Sequence, residues 1–504
     1  MSELIIQKKQ SSVQGNMFFL NALIVLVSIV FSLLIVESQG NLFWAFGALG
    51  AFVIALVTIY RLDWGYYLLI GMILFSDRFQ VGTFQSFTYT ISYLTTINTI
   101  NPAIGVGVLT SNEIHILFFT AVWIIVAAVT KRITITPVPL KKISLSCLLW
   151  IIWSVVYGRI RGGDMQMGIW EIRAFPLLFI MFWFTPQFIR TKEQIEQLLW
   201  VVIAILTFKA FQGIDRFIEL DFTFGRFRAL TNSEDPIFFI ALFMLLFGFL
   251  IFRYYSNQRR WLLLLFFPLL LGFYLGNRRA TYASFGISMI AYWILLPSEN
   301  KRKLSKYLVA FSIVFVVYLA AFWNSYGRMA VVANAVRSTL FAYDKNEAAE
   351  DYASGLAREQ ENYNLAITFR RAPILGIGFG QQHDWVIHNY GAFSFKGYVT
   401  HNQILWFLVK SGLVGYFLFF LFLNGMAMYG GYVFTKLKDP YLQAICAMAV
   451  TGILNVIVTA HVDQHLINSR VTSFLGVLLG LIVVVESINM QMLKSGESLN
   501  YSGR

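Results

Sequence analysis

The sequence predicts an all-α polytopic membrane protein, a helical bundle of about 12–14 transmembrane helices with one large outer loop domain. Two observations predict this fold class. Of the 504 residues, 58% are hydrophobic and only 13% are charged, which is about half the charged fraction of an ordinary soluble domain. Apolar runs of spanning length also recur along almost the whole chain, separated by polar segments.

These apolar runs follow one another from residue 17 to residue 488. They cover residues 17–36, 42–60, 64–76, 113–129, 143–157, 169–184, 195–213, 236–252, 261–275, 280–296, 304–323, 412–434, 441–459 and 473–488. The first run is too long for the core of a signal peptide and has no small-residue cleavage site after it. We therefore expect it to be a retained helix.

Lysine and arginine in the short connections predict the orientation of the spans. With the N-terminus inside, every second connection is cationic and both termini are cytoplasmic. The expected organisation is a cytoplasmic N-terminus at 1–16, a membrane bundle at 17–323, a large periplasmic or extracellular loop at 324–400, a second membrane bundle at 401–490 and a cytoplasmic C-terminus at 491–504.

The cysteine count and the net charge narrow the protein class further. The two cysteines, Cys147 and Cys446, both lie in apolar runs, so they predict neither a disulfide framework nor a metal site. The formal net charge of +13 suits a protein that faces anionic lipid headgroups and anionic substrates.

A histidine beside the large loop is the first candidate for chemistry. The stretch Thr400-His401-Asn402-Gln403 precedes an apolar run and has the pattern of a capping box, which predicts a helix that begins at His401. The imidazole would then lie near free backbone N–H groups and the positive end of the helix dipole. That field favours a neutral histidine able to accept a proton. The alternative is an interfacial histidine that only hydrogen-bonds the loop.

Two adjacent arginines are the second candidate. Arg278 and Arg279 follow the predicted turn at Gly276-Asn277 and open a span on its outer side, against the positive-inside tendency. Guanidinium groups at a helix N-terminus form an anion site. The alternative is that both side chains snorkel to lipid phosphates.

Further arginines lie at two other predicted outer boundaries. In the stretch 225–239, Arg226 and Arg228 precede a helix that we expect Asp235 to cap, with Glu234 and Asp235 acting either as caps or as a general base. In GIWEIRAFP, Arg173 lies two residues after a glutamate, so the two side chains do not face each other on a helix. Arg173 is therefore a candidate ligand for an anionic headgroup.

Two further motifs predict structure rather than chemistry. The glycine-rich segment 376–380 is not framed by a strand and a helix, so it indicates a tight turn rather than a nucleotide-binding loop. The segment HVDQH at 461–465 has two histidines at helical spacing, but Val462 stands where a zinc protease has its glutamate. We therefore expect no metal there.

Four stretches together resemble the O-antigen ligase and polymerase superfamily of bacterial envelope glycan enzymes. They are RALTNSEDP at 228–236, GNRRA at 276–280, RRAPILGIGFG at 370–380 and THNQILWFLVKSGLVG at 400–415. The resemblance implies transfer of a glycan from a polyprenyl-diphosphate carrier to an acceptor hydroxyl at the outer face of the bacterial cytoplasmic (inner) membrane. It implies no metal and no other cofactor.

The resemblance also assigns roles to residues. It implies that His401 assists the acceptor and that Arg228 and either Arg278 or Arg279 neutralise the diphosphate, since the chain has two arginines where the family usually has one. Arg173 and Arg226 are added as diphosphate ligands because of their predicted position. The residues expected to position the loop and the substrate are Asn402, Gly376 and Gly378.

The partners expected from this resemblance are a polyprenyl-diphosphate-linked glycan donor, a glycan or lipid-linked acceptor, membrane lipids and other polysaccharide-assembly proteins, with no nucleic acid. A polymerase for O-antigen, capsule or exopolysaccharide is preferred to a ligase, because nothing in the sequence demands a lipid A partner. The alternative function is a secondary transporter of a small anion. Such transporters tend to have ionisable residues near mid-bilayer, and here those are few, with Lys209 and Glu486 as examples.

Overall fold

The structure is a computed structural model of the 504-residue chain. It describes residues 42–77, 80–81, 84–86, 88, 110–130, 135–224, 229–325, 330–340, 349–387 and 397–495, together with single positions between 25 and 36. Most of the first predicted span, 17–36, lies outside the described residues, and so do Arg226 and Arg228.

The described residues form seventeen helices and two short strands. The helices are α1 (Leu42–Tyr60), α2 (Leu62–Phe75), α3 (Ser111–Thr130), α4 (Lys141–Ile160), α5 (Met165–Ile172), α6 (Ala174–Phe188), α7 (Lys192–Glu219), α8 (Asp235–Ile251), α9 (Asn257–Leu264), α10 (Phe266–Leu275), α11 (Arg279–Leu295), α12 (Ser298–Phe322), α13 (Val331–Leu340), α14 (Ala349–Arg371), α15 (Gln403–Lys436), α16 (Pro440–Thr459) and α17 (Ser469–Ser495). The strands β1 (Gln80–Val81) and β2 (Phe84–Gln85) pair in antiparallel register.

The predicted all-α polytopic membrane fold is confirmed. Within the described residues, eight segments are long and apolar enough to cross a membrane, or nine if α9 and α10, which bend by 53°, form one broken span. The helices α2 and α8 are apolar but shorter. The number of about 12–14 spans, their orientation and the expected segment boundaries remain predictions. The described part of the predicted outer loop, 324–400, contains α13 and α14.

The chain divides into two compact units. The smaller unit comprises Met1–Leu69 and Glu113–Arg132, and in it Tyr66 packs against Phe119 with ring centroids 6.0 Å apart. The larger unit comprises Ile70–Asn112 and Ile133–Arg504. All the candidate residues discussed below belong to this larger unit.

Close helix packing forms the core of the larger unit. Helix α17 packs along α6, where Gly476 lies against the backbone of Leu178 and Gly480 lies against Thr185. Small residues at such contacts let two helix backbones approach closely, which is how helices associate where no water is expelled. Helix α16 is packed between α8 and α11, so the core consists of apolar helices buried on most of their surface.

One helix is interrupted inside its apolar run. At Gly412 of α15 the backbone is not helical, with φ 67° and ψ −177°. The carbonyl groups freed there are satisfied by the glycine-rich turn, because Ile377 N–H donates to Val409 O at 2.9 Å and Gly378 N–H donates to Lys410 O at 3.0 Å. Unwound backbone within a membrane helix needs such partners. The turn therefore docks directly onto the break in α15.

The expected tight turn at 376–380 is present. Gly376 and Gly378 have φ of 74° and 89°, a left-handed conformation that glycine adopts without strain. A Cβ on Gly376 would also lie 2.5 Å from Lys410 O. These two glycines therefore position the end of the predicted loop through their backbones, and their role in positioning a substrate stays a prediction.

Candidate functional site

A histidine and a carboxylate form the centre of the site. His401 precedes α15, and Glu361 lies on α14. The imidazole Nδ1 is 2.9 Å from Glu361 Oε2, and the backbone N–H of His401 donates to the same oxygen at 3.1 Å. An ionised carboxylate only accepts hydrogen bonds, so the contact places a proton on Nδ1, and in the neutral form of the ring the lone pair is then on Nε2. The imidazole side chain is 32% exposed, and a substrate can therefore reach it.

The predicted start of the helix at His401 is wrong. Asn402 is the N-cap of α15, and its side chain accepts from Leu405 N–H at 3.1 Å. Asparagine caps helices at least as well as threonine, and here Asn402, rather than Thr400, caps the helix. Gln403 does not complete a capping box but donates to Thr400 O at 2.8 Å. His401 thus lies outside the first helical turn, and Glu361 orients it instead of the helix dipole.

The arginine pair opens α11, as expected from the sequence. Arg278 is the N-cap residue and Arg279 is the first residue of the helix. Arg278 Nη1 lies 3.7 Å from Asp463 Oδ2, in the connection between α16 and α17. The Nε atom of Arg278 is buried and has no hydrogen-bond partner among the described residues. This guanidinium group is therefore held only loosely by its carboxylate.

Asp463 interacts electrostatically with residues from three different segments of the chain. Burial alone would raise the pKa of Asp463, but its electrostatic interactions with His465 and Arg278, and more weakly with His401, lower it overall. His465 Nε2 lies 4.0 Å from Asp463 Oδ2. Asp463 therefore connects the start of α11 with the histidine beside α15, although these segments are far apart in sequence.

A third arginine, which sequence reasoning missed, lies on α14. Burial lowers the pKa of Arg358, and the carboxylates of Asp463 and Glu361 oppose this shift. The positive charges of Arg279 and Arg278 reinforce it. The Nε atom of Arg358 is also buried without a hydrogen-bond partner in the described part of the chain. Three guanidinium groups thus share one electrostatic neighbourhood with two carboxylates.

The remaining predicted site residues have different positions. Arg226 and Arg228 lie outside the described residues, so their roles stay predictions. Arg173 lies at the junction where α5 ends and α6 begins, and its role as an anion ligand also stays a prediction. Asn402 caps α15, and its amide donates to Asn362 Oδ1 at 3.1 Å. This second contact fixes α14 beside His401.

The expectation that Asp235 caps its helix is wrong. Asp235 is the first residue of α8, and Glu234 occupies the N-cap position without capping through its side chain. Both carboxylates face Arg470, with Nη2 2.7 Å from Asp235 Oδ1 and Nη1 3.4 Å from Glu234 Oε2. The buried guanidinium group attracts Asp235 away from the backbone N–H groups that a cap would serve. Burial raises the pKa of Glu234 to about 7.

A buried ion pair lies beneath the glycine-rich turn. Lys410 Nζ is 2.6 Å from Glu171 Oε1, and neither side chain is exposed to solvent. Glu171 Oε2 also accepts from Gly380 N–H at 2.5 Å, and Lys410 donates to the carbonyl group of Gln381. Both charges are therefore used to fix the backbone of the turn. Lys209 is paired in a similar way with Asp77, at 2.7 Å.

Fold and site together define a class of protein: an all-helical, multi-pass membrane protein with arginines near a histidine that a carboxylate holds. Residues 264–420 match the family described as O-Antigen ligase. This match confirms the predicted resemblance to the O-antigen ligase and polymerase superfamily and supports membrane glycan processing. The matched residues include Arg278, Arg279, Arg358, Glu361 and His401, whereas Asp463 lies outside the match. A comparison with curated proteins gave no match.

Proposed function

We propose that the protein is an enzyme that transfers a glycan from a polyprenyl-diphosphate carrier to an acceptor hydroxyl at the outer face of the bacterial cytoplasmic membrane. A polymerase that joins carrier-linked repeat units is preferred to a ligase. One observation carries the proposal: Arg358 interacts electrostatically with Arg278, Arg279 and Glu361, and Glu361 in turn holds His401. The arginines have the charge for a diphosphate, and the histidine has a nitrogen that can take a proton.

The arginines would act on the leaving group. When the bond between the anomeric carbon and the diphosphate oxygen breaks, negative charge develops on that oxygen. Guanidinium groups that are already in place stabilise such charge as it forms, and they can bind phosphate oxygens in pairs. The buried Nε atoms of Arg278 and Arg358 have no protein acceptor within the described residues. The side chain of Arg278 is 42% exposed, so its terminal N–H groups are within reach of phosphate oxygens.

His401 would act on the acceptor. As the acceptor oxygen forms its bond to the anomeric carbon, its proton passes to Nε2 of the imidazole. Glu361, 2.9 Å from Nδ1, holds the ring in place and stabilises the imidazolium that results. The diphosphate leaves on its lipid carrier with the electron pair of the broken bond. Atoms and charges balance without another reactant.

Deletion of the gene in its own bacterium tests this function. Mass analysis of carrier-linked glycan should reveal stalled single repeat units if the protein is a polymerase. Long carrier-linked chains that never reach another acceptor would indicate a ligase. Wild-type protein and His461→Ala should restore the product, while His401→Ala should not. An unchanged set of envelope glycans in the deletion strain would overturn the proposal.

A secondary transporter of a small anion is the second candidate. Broken helices and ionisable groups inside spans are features of transporters, and the chain has the break at Gly412 and the buried pair of Lys209 with Asp77. At the break, however, the glycine-rich turn already uses the carbonyl groups of Val409 and Lys410. Uptake of a labelled anion into vesicles, driven by an ion gradient and lost in an inactive variant, would favour this candidate over the transferase.

A further inference from the structure

A polar groove lies beside the glycine-rich turn. It runs between the connection from α4 to α5 and the segment that follows Gly380, and its volume is about 610 Å³. That volume lies within the range of about 300–1,000 Å³ that is typical of small-molecule sites. Apart from Met165, the side chains that line the polar groove are polar or aromatic: Arg159, Asp164, Gln166, Gln381, Gln382 and Tyr398.

The floor of the polar groove is held rigidly. The backbone N–H of Asp164 donates to Gly380 O at 2.8 Å. The Gln381 amide donates to Gly158 O at 3.0 Å and to Arg161 O at 2.9 Å. Because the Glu171–Lys410 pair fixes the same backbone from below, a ligand would bind without the cost of ordering these residues.

The rim of the polar groove has the chemistry of a carbohydrate site. Gln166, Gln382 and Asp164 are exposed, and their amide and carboxylate groups can donate to and accept from sugar hydroxyls. The ring of Tyr398 adds a flat apolar surface with a polar tip. The rim carries one arginine and one aspartate, so its charges balance. It therefore suits an uncharged ligand, unlike the arginines near His401.

The polar groove is also close to the reacting centre. Tyr398 precedes His401 by three residues, so their Cα atoms are at most about 11 Å apart even in a fully extended chain. The backbone N–H of His383 donates to Gly397 O at 2.8 Å, and this bond holds the residue before Tyr398 close to the glycine-rich turn. A sugar chain in the groove could thus extend to the imidazole.

We propose that the polar groove binds sugar residues of the glycan while its terminal unit reacts beside His401. This inference rests on the proposed function, and it assigns the carbohydrate and the diphosphate to separate surfaces. The ligand is a carbohydrate chain, either still linked to its carrier or already released from it. Amide side chains recognise it, together with Tyr398 and the balanced charges of Arg159 and Asp164.

Photo-crosslinking in the protein's own bacterium tests the polar groove. Benzoylphenylalanine is placed in the full chain at Gln166 or Gln382, with Phe222, which is 57% exposed in the turn after α7, as the control position. Cells are labelled with a radioactive sugar and with radioactive phosphate, irradiated, and analysed for labelled protein. We expect adducts with the sugar label at Gln166 and Gln382 at least tenfold above those at Phe222.

The two labels separate the sources of the glycan. Sugar together with phosphate in the adduct identifies carrier-linked glycan, and sugar alone identifies glycan released from the carrier; either result supports the inference. Equal labelling at all three positions, or no labelled adduct in accumulated protein, would overturn it. A different result would contradict the proposed function, namely an unchanged set of envelope glycans in the deletion strain.

Discussion

Glu361 Oε2 lies 2.9 Å from His401 Nδ1, and the same oxygen accepts the backbone N–H of His401 at 3.1 Å. One carboxylate therefore fixes both the ring and the main chain of the histidine. Next to this contact, the amide of Asn402 donates to Asn362 at 3.1 Å. Two adjacent residues of α14 thus hold two adjacent residues at the start of α15. A base that is oriented by a second group is the usual arrangement for proton transfer in catalysis.

Substitutions in this pair should separate catalysis from positioning. We expect His401→Ala to lower turnover about 10²–10⁴-fold, the usual contribution of a general base. Glu361→Gln should retain more activity than Glu361→Ala, because the amide oxygen can still accept from Nδ1–H. Both Glu361 variants should lower kcat and leave KM for the glycan donor nearly unchanged. Steady-state kinetics in membranes with matched protein levels measure this.

Matched controls lie close to both residues. His461 is exposed, with Nδ1 2.9 Å from Ile457 O, and Glu359 is exposed on the same helix as Glu361. His461→Ala and Glu359→Gln should leave turnover near that of the wild type. If Glu361→Ala were as active as these controls, Glu361 would not orient the base.

Arg358 should bind the diphosphate. Loss of one stabilising donor from a site of developing charge typically costs about 10²–10³-fold, so we expect Arg358→Ala to lower turnover in that range and to raise KM for the donor. Arg358→Lys should be intermediate, because lysine keeps the charge but loses the two-pronged hydrogen bonding. Arg371→Ala is the control, since Arg371 lies on the same helix, is exposed and pairs with Asp384. Equal donor KM in Arg358→Ala and Arg371→Ala would contradict the role.

The class of fold could be predicted from the sequence because each spanning helix depends mainly on residues that are close together in the chain. The run at 42–60 coincides with α1, and the pair Arg278-Arg279 opens α11 as expected. Features of this kind can be predicted directly, because an apolar run indicates a spanning helix and a turn residue indicates where a helix begins. Helix ends are less certain, since Asn402 and Thr400 are both good caps and only tertiary contacts choose between them.

The partners in the site could not be predicted in this way. Glu361 and His401 are 40 residues apart, and Arg358 stands in a charged stretch whose composition is that of a solvated helix face. The spacing of Arg358 and Glu361, which places them on one face of a helix, was the only local signal. Lys410 is a single charge in an apolar run, and its partner Glu171 is more than two hundred residues away. Contacts of this kind depend on the packed fold.

The buried Glu171–Lys410 pair gives a prediction about stability. Removing one partner of a buried ion pair leaves the other charge buried without a partner, which typically lowers the free energy of unfolding by about 3–5 kcal/mol. We therefore expect Lys410→Met alone to reduce the amount of folded protein strongly. Adding Glu171→Gln should restore part of it, because the stranded charge disappears while an oxygen remains for Gly380 N–H. Thermal unfolding in detergent, followed by size-exclusion chromatography, measures both variants.

The exposed pair of Arg371 and Asp384 provides the comparison for the Lys410 and Glu171 variants. Surface ion pairs contribute only about 0–1 kcal/mol, so Arg371→Met should change the unfolding temperature little. If Lys410→Met were no more harmful than Arg371→Met, the pair would not hold the turn. If the double variant were worse than Lys410→Met, the stranded carboxylate would not be the cause of the loss.

Glu234 should make stability depend on pH. Burial raises its pKa to about 7, against an ordinary value of 4.5. As pH falls from 7 towards 4.5, the folded protein takes up a proton that the unfolded chain does not, so the free energy of unfolding rises. The slope is at most about 1.4 kcal/mol per pH unit. The amide of Asn468 donates to Glu234 Oε1 at 2.5 Å, and a glutamine at position 234 would not titrate but could still accept this bond. The difference in unfolding temperature, wild type minus Glu234→Gln, should therefore increase on acidification across this window; a constant difference from pH 8 to pH 4.5 would contradict it.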